Sequence, residues 1–276
     1  MSYEPATHYD RVTEAWTLLL GEELHYGVFA SPDEPLAPAT RRLTELMAEG
    51  AQIAAGMRVL DVGCGTGTPA CHIAQTYGAS VLGITTSDVG VESASERARA
   101  ASLAELVSFE NRDGMDNRLP DGSFDRVWVL ESSHLMRDRA RLIAECARVL
   151  CPGGRLVLCD IILQRPMPLP EVRRLREPLG LLRDVFGDAR MEPLAEYRRL
   201  AEAEGLSVDR ETDLTRATRP TFTRWRENAS THAAAVDALI GATDRERFAA
   251  SCDVLERFWD DGTLGYGLIA AAKPTV

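Results

Sequence analysis

The stretch that most constrains this chain runs from Met57 to Pro69, MRVLDVGCGTGTP. Val59 and Leu60 open a short apolar run, and Asp61 stands almost at its end. Gly63, Gly65 and Gly67 then alternate with Cys64 and Thr66. Glycine permits a turn with positive φ and lets a ligand approach the backbone closely. A strand that breaks into such a turn and then into a helix offers backbone N–H groups to a ligand at its carboxyl end. The glycines do not follow the dinucleotide spacing G-x-G-x-x-G, because the third comes one residue early and position 68 is Thr. A carboxylate at Asp61 would repel a pyrophosphate and attract a cation. The stretch therefore predicts a cradle for a cationic ligand. A tight strand-to-helix turn with no ligand is the plainer alternative.

Around this loop the chain alternates strand and helix. Strands are predicted at 57–62, 80–85, 107–110, 124–130 and 155–162, with helices at about 68–77, 88–102 and 137–149 between them. Gly153 and Gly154 are expected to end the last of these helices with a left-handed cap. Before the first strand, Tyr9–Leu20 and about 40–54 carry helical spacing on either side of a Pro-rich break at 31–38. After Ile162 come two helical stretches, 171–186 and 191–204, then a sixth strand from Gly205, helix again over 221–260, and a last strand from Gly265. The expectation is an α/β fold with a Rossmann-like, seven-stranded, mostly parallel sheet. Its expected parts are an N-terminal helical lid (1–56), a ligand-binding core (57–163), a helical cap insertion (164–204) and a C-terminal part of the core (205–276) with its own helical insertion.

Composition narrows the function. The chain of 276 residues has a formal net charge of −11, which argues against nucleic acid or an anionic membrane as partner. No apolar run is long enough to span a bilayer. The N-terminus lacks the basic and apolar regions of a signal peptide, so a cytoplasmic protein is expected. The six cysteines show no C-x-x-C and are read as reduced thiols. No His/Cys/Asp cluster has metal-ligand spacing, so no metal is expected.

Several segments in order carry a resemblance. They are Val59–Gly67, Val81–Ser87, Arg112–Asp116, Leu119–Asp125, Leu130–Asp138 and Arg148–Gly154, with Leu24–Gly27 and Gly265–Tyr266 at the two ends. Together they resemble the class I S-adenosylmethionine (SAM)-dependent methyltransferases over roughly residues 8–274. Within that class they resemble the antibiotic-pathway sugar O-methyltransferases of the rebeccamycin type and the sarcosine/dimethylglycine and tocopherol methyltransferases. SAM carries an α-ammonium and a sulfonium, which suits Asp61. The resemblance implies methylation of a small natural-product acceptor in secondary metabolism.

It also assigns residues. Asp61 and the backbone at Gly63, Gly65 and Gly67 would hold the methionine end. Thr85 stands where an acid often binds the ribose, and Gly90 where a glutamine is often found. Asp113 would accept from the adenine amino group, with Gly114 and Met115 beside the ring; a turn acid capping its own loop is the alternative. Glu131 would face the methionine moiety and the acceptor. Tyr9 would fold over the cofactor or serve as a core tyrosine. His25 and Tyr26 would line the acceptor pocket. His134, just past the fourth strand, matches the family's general base, and Asp160 matches its partner acid. The plainer readings are a packed helix-start histidine and a strand-end acid bonded to loop amides. A histidine with an ordinary pKa near 6.5 suits deprotonation of a hydroxyl. O-methylation is therefore the first expectation. C-methylation of an alkene or aromatic ring, or a SAM-binding cyclase or scaffold that transfers no methyl, are the alternatives. The N-terminal helices are compatible with a homo-oligomer.

Overall fold

A computed structural model describes residues 14–275. Among them, seven strands form one sheet in the order β3-β2-β1-β4-β5-β7-β6. The strands are β1 (Arg58–Val62), β2 (Ser80–Thr85), β3 (Val107–Asn111), β4 (Phe124–Leu130), β5 (Leu150–Leu163), β6 (Ser207–Asp213) and β7 (Leu264–Ala272). The ladders β1–β2, β1–β4, β2–β3 and β4–β5 are all parallel. Val59, Leu60, Asp61 and Val62 are buried without alternation, as a strand covered on both faces of a parallel sheet requires. The chain runs from β1 outward through β2 and β3, then returns to place β4 on the other side of β1. That reversal leaves a crevice at the carboxyl ends of β1 and β4, where open α/β sheets bind ligands.

The helices follow the sequence signals with three informative departures. Residues 14–20 are helical (α1). Helix α2 (Leu36–Ala51) begins inside the Pro-rich segment, because Pro38 falls in its first turn, where a missing N–H costs no hydrogen bond. Helices α3 (Thr68–Tyr77) and α4 (Asp88–Ala100) match the expected spans closely. Helix α5 (Arg139–Val149) does not end in a left-handed glycine cap. Leu150 is already extended and opens β5, and Gly153, at φ 77°, lies within that strand. There the β4–β5 register slips: Phe124 pairs with Leu150 but Arg126 pairs with Arg155. The extra residues form a bulge, which is where the positive φ is used. The stretch predicted as one helix over 171–186 is two, α6 (Leu169–Arg174) and α7 (Arg176–Phe186). Pro178 has no N–H for the carbonyl of Arg174, so the hydrogen-bond ladder breaks at Leu175. Helix α8 (Leu194–Ala203) precedes β6, and α9 (Thr215–Thr218), α10 (Thr221–Thr231), α11 (Ala233–Ile240) and α12 (Ala242–Asp260) precede β7.

The fold divides into two compact units that interleave along the chain. Among the described residues, the first holds 14–43, 161–193 and 213–266; the second holds 44–160, 194–212 and 267–275. The first has an aromatic core. Tyr26 stacks on Trp259 with centroids 5.5 Å apart and meets Phe222, Trp225 and Tyr266 within 5.7 Å. The second contains β1 to β4, most of β5, and α3, α4, α5 and α8. Among the described residues no helix is long and apolar enough to cross a membrane, and no group of three potential metal ligands occurs. All six cysteines are free thiols and five are buried.

Candidate active site

The glycine loop is built from the end of β1. Gly63, Gly65 and Gly67 all adopt positive φ, at 82°, 53° and 76°. The N–H groups of Gly63 and Cys64 both donate to the Ile84 carbonyl, and that of Gly67 donates to Cys64. Among the described residues, the amides of Gly65 and Thr66 donate no such backbone hydrogen bond. A Cβ on Gly63 would come within 2.2 Å of the Ser132 side chain, and one on Gly67 within 2.6 Å of Phe109. A Cβ on Gly65 would meet nothing within 4 Å. Two of the glycines thus let neighbouring elements close on the loop, and the middle one faces open space.

Asp61 is buried beside this loop, and among the described residues its Oδ2 has no hydrogen-bond partner. Burial pushes its carboxyl up to about 7. Such an oxygen costs free energy unless a charged or donating partner reaches it. A cationic ligand is such a partner, so the residues present fit the ammonium end of SAM. Ser132 donates to the Val62 carbonyl at 2.7 Å and so ties the segment after β4 to the end of β1.

The other residues expected at the cofactor lie at or just past the carboxyl ends of β2, β3 and β4. The Thr85 hydroxyl accepts from Ser87 N at 3.3 Å, and Ser87 caps α4 by accepting from Gly90 N at 2.8 Å. Asp113 Oδ1 accepts from Met115 N at 2.8 Å, which is the turn geometry of an acid capping its own loop. A Cβ on Gly114 would meet Val62 at 2.6 Å, so the Asp113–Met115 turn lies close against the end of β1. Glu131 follows β4 in the left-handed region, at φ 47°, with its N–H bonded to the Cys159 carbonyl at 2.9 Å. A non-glycine residue held there is strained, and such strain recurs at functional sites.

The 3-10 turn Ser133–Leu135 carries His134. Its Nδ1 lies 2.6 Å from Asp160 Oδ1, and its backbone N–H donates to Asp160 Oδ2 at 3.1 Å. Both side chains are buried. The parallel register explains the meeting: Leu130 pairs with Cys159, so the residues just past them arrive together. A proton shared between Nδ1 and a carboxylate leaves the lone pair on Nε2. Burial is the largest single influence on the ring and lowers its pKa. The charge and hydrogen bond of Asp160, helped by Glu131, outweigh that burial and the opposing charge of Arg139, holding the imidazole above its ordinary 6.5.

Three members of this cluster were not legible in the sequence. Ser133 Oγ donates to Asp160 Oδ2 at 2.5 Å and lies 2.7 Å from the Tyr197 hydroxyl. Arg139, at the start of α5, is buried close enough to influence both Tyr197 and His134. Tyr197 comes from α8, which packs on α5. Its spacing with Leu200 and Ala201 reads simply as a buried helix face. The remaining expectations fall elsewhere. His25 and Tyr26 belong to the first unit, where His25 bonds the Tyr26 carbonyl at 2.8 Å and Glu23 at 3.1 Å. Tyr9 lies outside the described residues.

The fold is that of a Rossmann-like domain, and the carboxyl edge of its sheet brings together the buried Asp61, the glycine loop and the His134–Asp160 contact. A family described as "Methyltransferase domain" matches residues 60–158. The chain is 35% identical to 27-O-demethylrifamycin SV methyltransferase of Amycolatopsis mediterranei (strain S699), over 96% of this chain and 95% of that protein. It is also 35% identical to methyltransferase GfsG of Streptomyces halstedii, over 99% and 95%. Among solved structures it is similar to the [4+2]-cyclase SpnF, with a TM-score of 0.83 and 29% identity, covering 98% of this chain and 96% of that one. The chain belongs to the SAM-dependent methyltransferases, and SAM is its cofactor.

Proposed function

We propose that the enzyme methylates a hydroxyl group of a natural-product acceptor, with His134 as general base. The observation that carries this reading is the buried 2.6 Å contact between His134 Nδ1 and Asp160 Oδ1 at the carboxyl ends of β4 and β5. SAM, when bound, supplies an already activated methyl group. The protein's own work is then to align the acceptor and remove its proton. Asp160 fixes the ring and its tautomer. His134 Nε2 takes the hydroxyl proton, and the resulting imidazolium is stabilised by the Asp160 carboxylate. Asp61 and the glycine loop hold the ammonium end of the cofactor, while Thr85 and the Asp113–Met115 turn receive the ribose and adenine. The rifamycin relative acts on a hydroxyl of a natural product, which supports the same acceptor class here.

The test is transfer of labelled methyl from SAM to a panel of hydroxylated natural products, beginning with 27-O-demethylrifamycin SV. The expected result is label on an oxygen, and a drop in turnover of about 100-fold or more in His134→Ala. Because the base works unprotonated, wild-type turnover should rise as pH passes upward through the raised pKa of His134. Undiminished turnover in His134→Ala removes the general-base role, and label found on carbon replaces O-methylation with C-methylation.

A further inference from the structure

We propose that Tyr197 and Ser133 are positioning residues for the base, acting on His134 through the second oxygen of Asp160. This inference rests on the reading of His134 as the base. The direction of each hydrogen bond follows from chemistry. An ionised carboxylate only accepts, so Ser133 must donate its proton to Asp160 Oδ2 at 2.5 Å. The serine oxygen is then left as an acceptor, and the Tyr197 hydroxyl, 2.7 Å away, must donate to it. Burial is the main reason the Tyr197 phenol is pushed up to about 12, so the phenol keeps the proton that this direction needs. The chain reads Tyr197 to Ser133 to Asp160, with His134 at its far end. Asp160 Oδ2 also receives the backbone N–H of His134, so both donors hold that oxygen while Oδ1 faces the ring.

Two arguments set this apart from ordinary packing. Tyr197 is 1% exposed, and a phenylalanine would fill the same apolar space on α8 without burying a hydroxyl. A buried hydroxyl is tolerated when it is bonded, and here the bond leads to the acid that orients the base. The groups that face His134 electrostatically are Asp160, Glu131 and Arg139. Of these, Asp160 is gripped by the Tyr197–Ser133 chain, and the Tyr197 hydroxyl also accepts a hydrogen bond from Arg139. Donors on Oδ2 draw negative charge away from Oδ1 and weaken its pull on the imidazolium. Removing them should therefore make His134 more basic and loosen its alignment.

The experiment is a pH titration of the full-length chain with 15N-labelled histidine, followed by NMR of the imidazole nitrogens. His134→Ala identifies the His134 signals. In Tyr197→Phe the His134 pKa should rise by about half a unit, and in Ser133→Ala by at least as much. Because the Tyr197 hydroxyl reaches Asp160 through Ser133, adding Tyr197→Phe to Ser133→Ala should produce a smaller further shift than Tyr197→Phe produces alone. Ser133→Ala alone carries the test should Tyr197→Phe lose the native melting temperature. An unchanged His134 pKa and Nδ1–H signal in a natively folded variant overturns the proposal. So does an equal extra shift in the double variant. These readouts do not depend on turnover, whereas full methyl transfer by His134→Ala would remove the base reading itself, whatever Tyr197 does.

Discussion

Asp61 holds a carboxyl group that burial has pushed to about 7, against an ordinary value near 3.8. The sign of the consequence is fixed. In the ligand-free protein the neutral acid is the favoured buried form, so its contribution to stability is fully present below about pH 4. It is lost as pH rises through about 7. A cationic ligand prefers the ionised form. Affinity for S-adenosylhomocysteine should therefore fall by about tenfold between pH 8 and pH 6, as the carboxylate is protonated. Calorimetric titration at the two pH values measures this directly. Asp61→Asn should bind more weakly at pH 8, lose most of the pH dependence, and melt higher than the wild type in the ligand-free state at pH 8. A pH-independent wild-type affinity would show that Asp61 does not contact the ammonium. At this scale the sequence was informative where one short segment carries the chemistry. Asp61 is marked by its own glycine loop, and His134 and Asp160 by neighbouring strand ends. Tyr197 and Arg139 were hidden because a buried helix face looks the same whether or not one of its hydroxyls serves the site.

The elements show which local signals decide and which are overruled. The glycine loop is legible because each positive φ needs a residue without a Cβ, yet the three glycines do not have the same task. Gly65→Ala places a methyl in open space and meets only the cost of the left-handed backbone, about 1–2 kcal/mol. Gly63→Ala adds a collision with Ser132 and should lose a further 1–3 kcal/mol, roughly the usual cost of overpacking. Urea denaturation of the two variants should rank them in that order. Gly65→Ala should stay folded and still bind S-adenosylhomocysteine more weakly, because its methyl would occupy the open space that the proposed site gives to the ligand. Equal stabilities would mean that Ser132 moves aside freely. The departures from expectation have local causes that pattern reading passes over. Proline in the first turn allowed α2 to start early, proline three residues into α7 split one predicted helix into two, and a bulge in β5 used the glycine that had suggested a helix cap.

At the scale of the whole molecule, Asp61, the glycine loop, His134, Asp160 and Tyr197 all lie in the second unit, although they are spread widely along the sequence. Parallel topology makes this unavoidable, since neighbouring strand ends are separated by a helix and its connections. The mostly parallel sheet was expected from the alternation of strand and helix, whereas the strand order was not read from the sequence. The interleaving of the two units was not, because it depends on long-range packing of the segments after Ile162. The same topology ties cofactor binding to global stability. Residues that converge from distant parts of the sequence form a site only when the sheet is folded, so a ligand of that site binds the native state and not the unfolded chain. S-adenosylhomocysteine at about 100 times its dissociation constant should then add roughly 2.7 kcal/mol to the unfolding free energy. NAD at the same concentration should add nothing, because its pyrophosphate would meet the Asp61 carboxylate, which in the proposed site faces the ammonium of the adenosyl ligand. Thermal denaturation of the full chain at pH 8 with each ligand distinguishes the two. At that pH Asp61 is ionised, so both the attraction and the repulsion are at full strength. Stabilisation by NAD would mean that the loop accepts a diphosphate despite the acid beside it, and the charge argument built on Asp61 would fall.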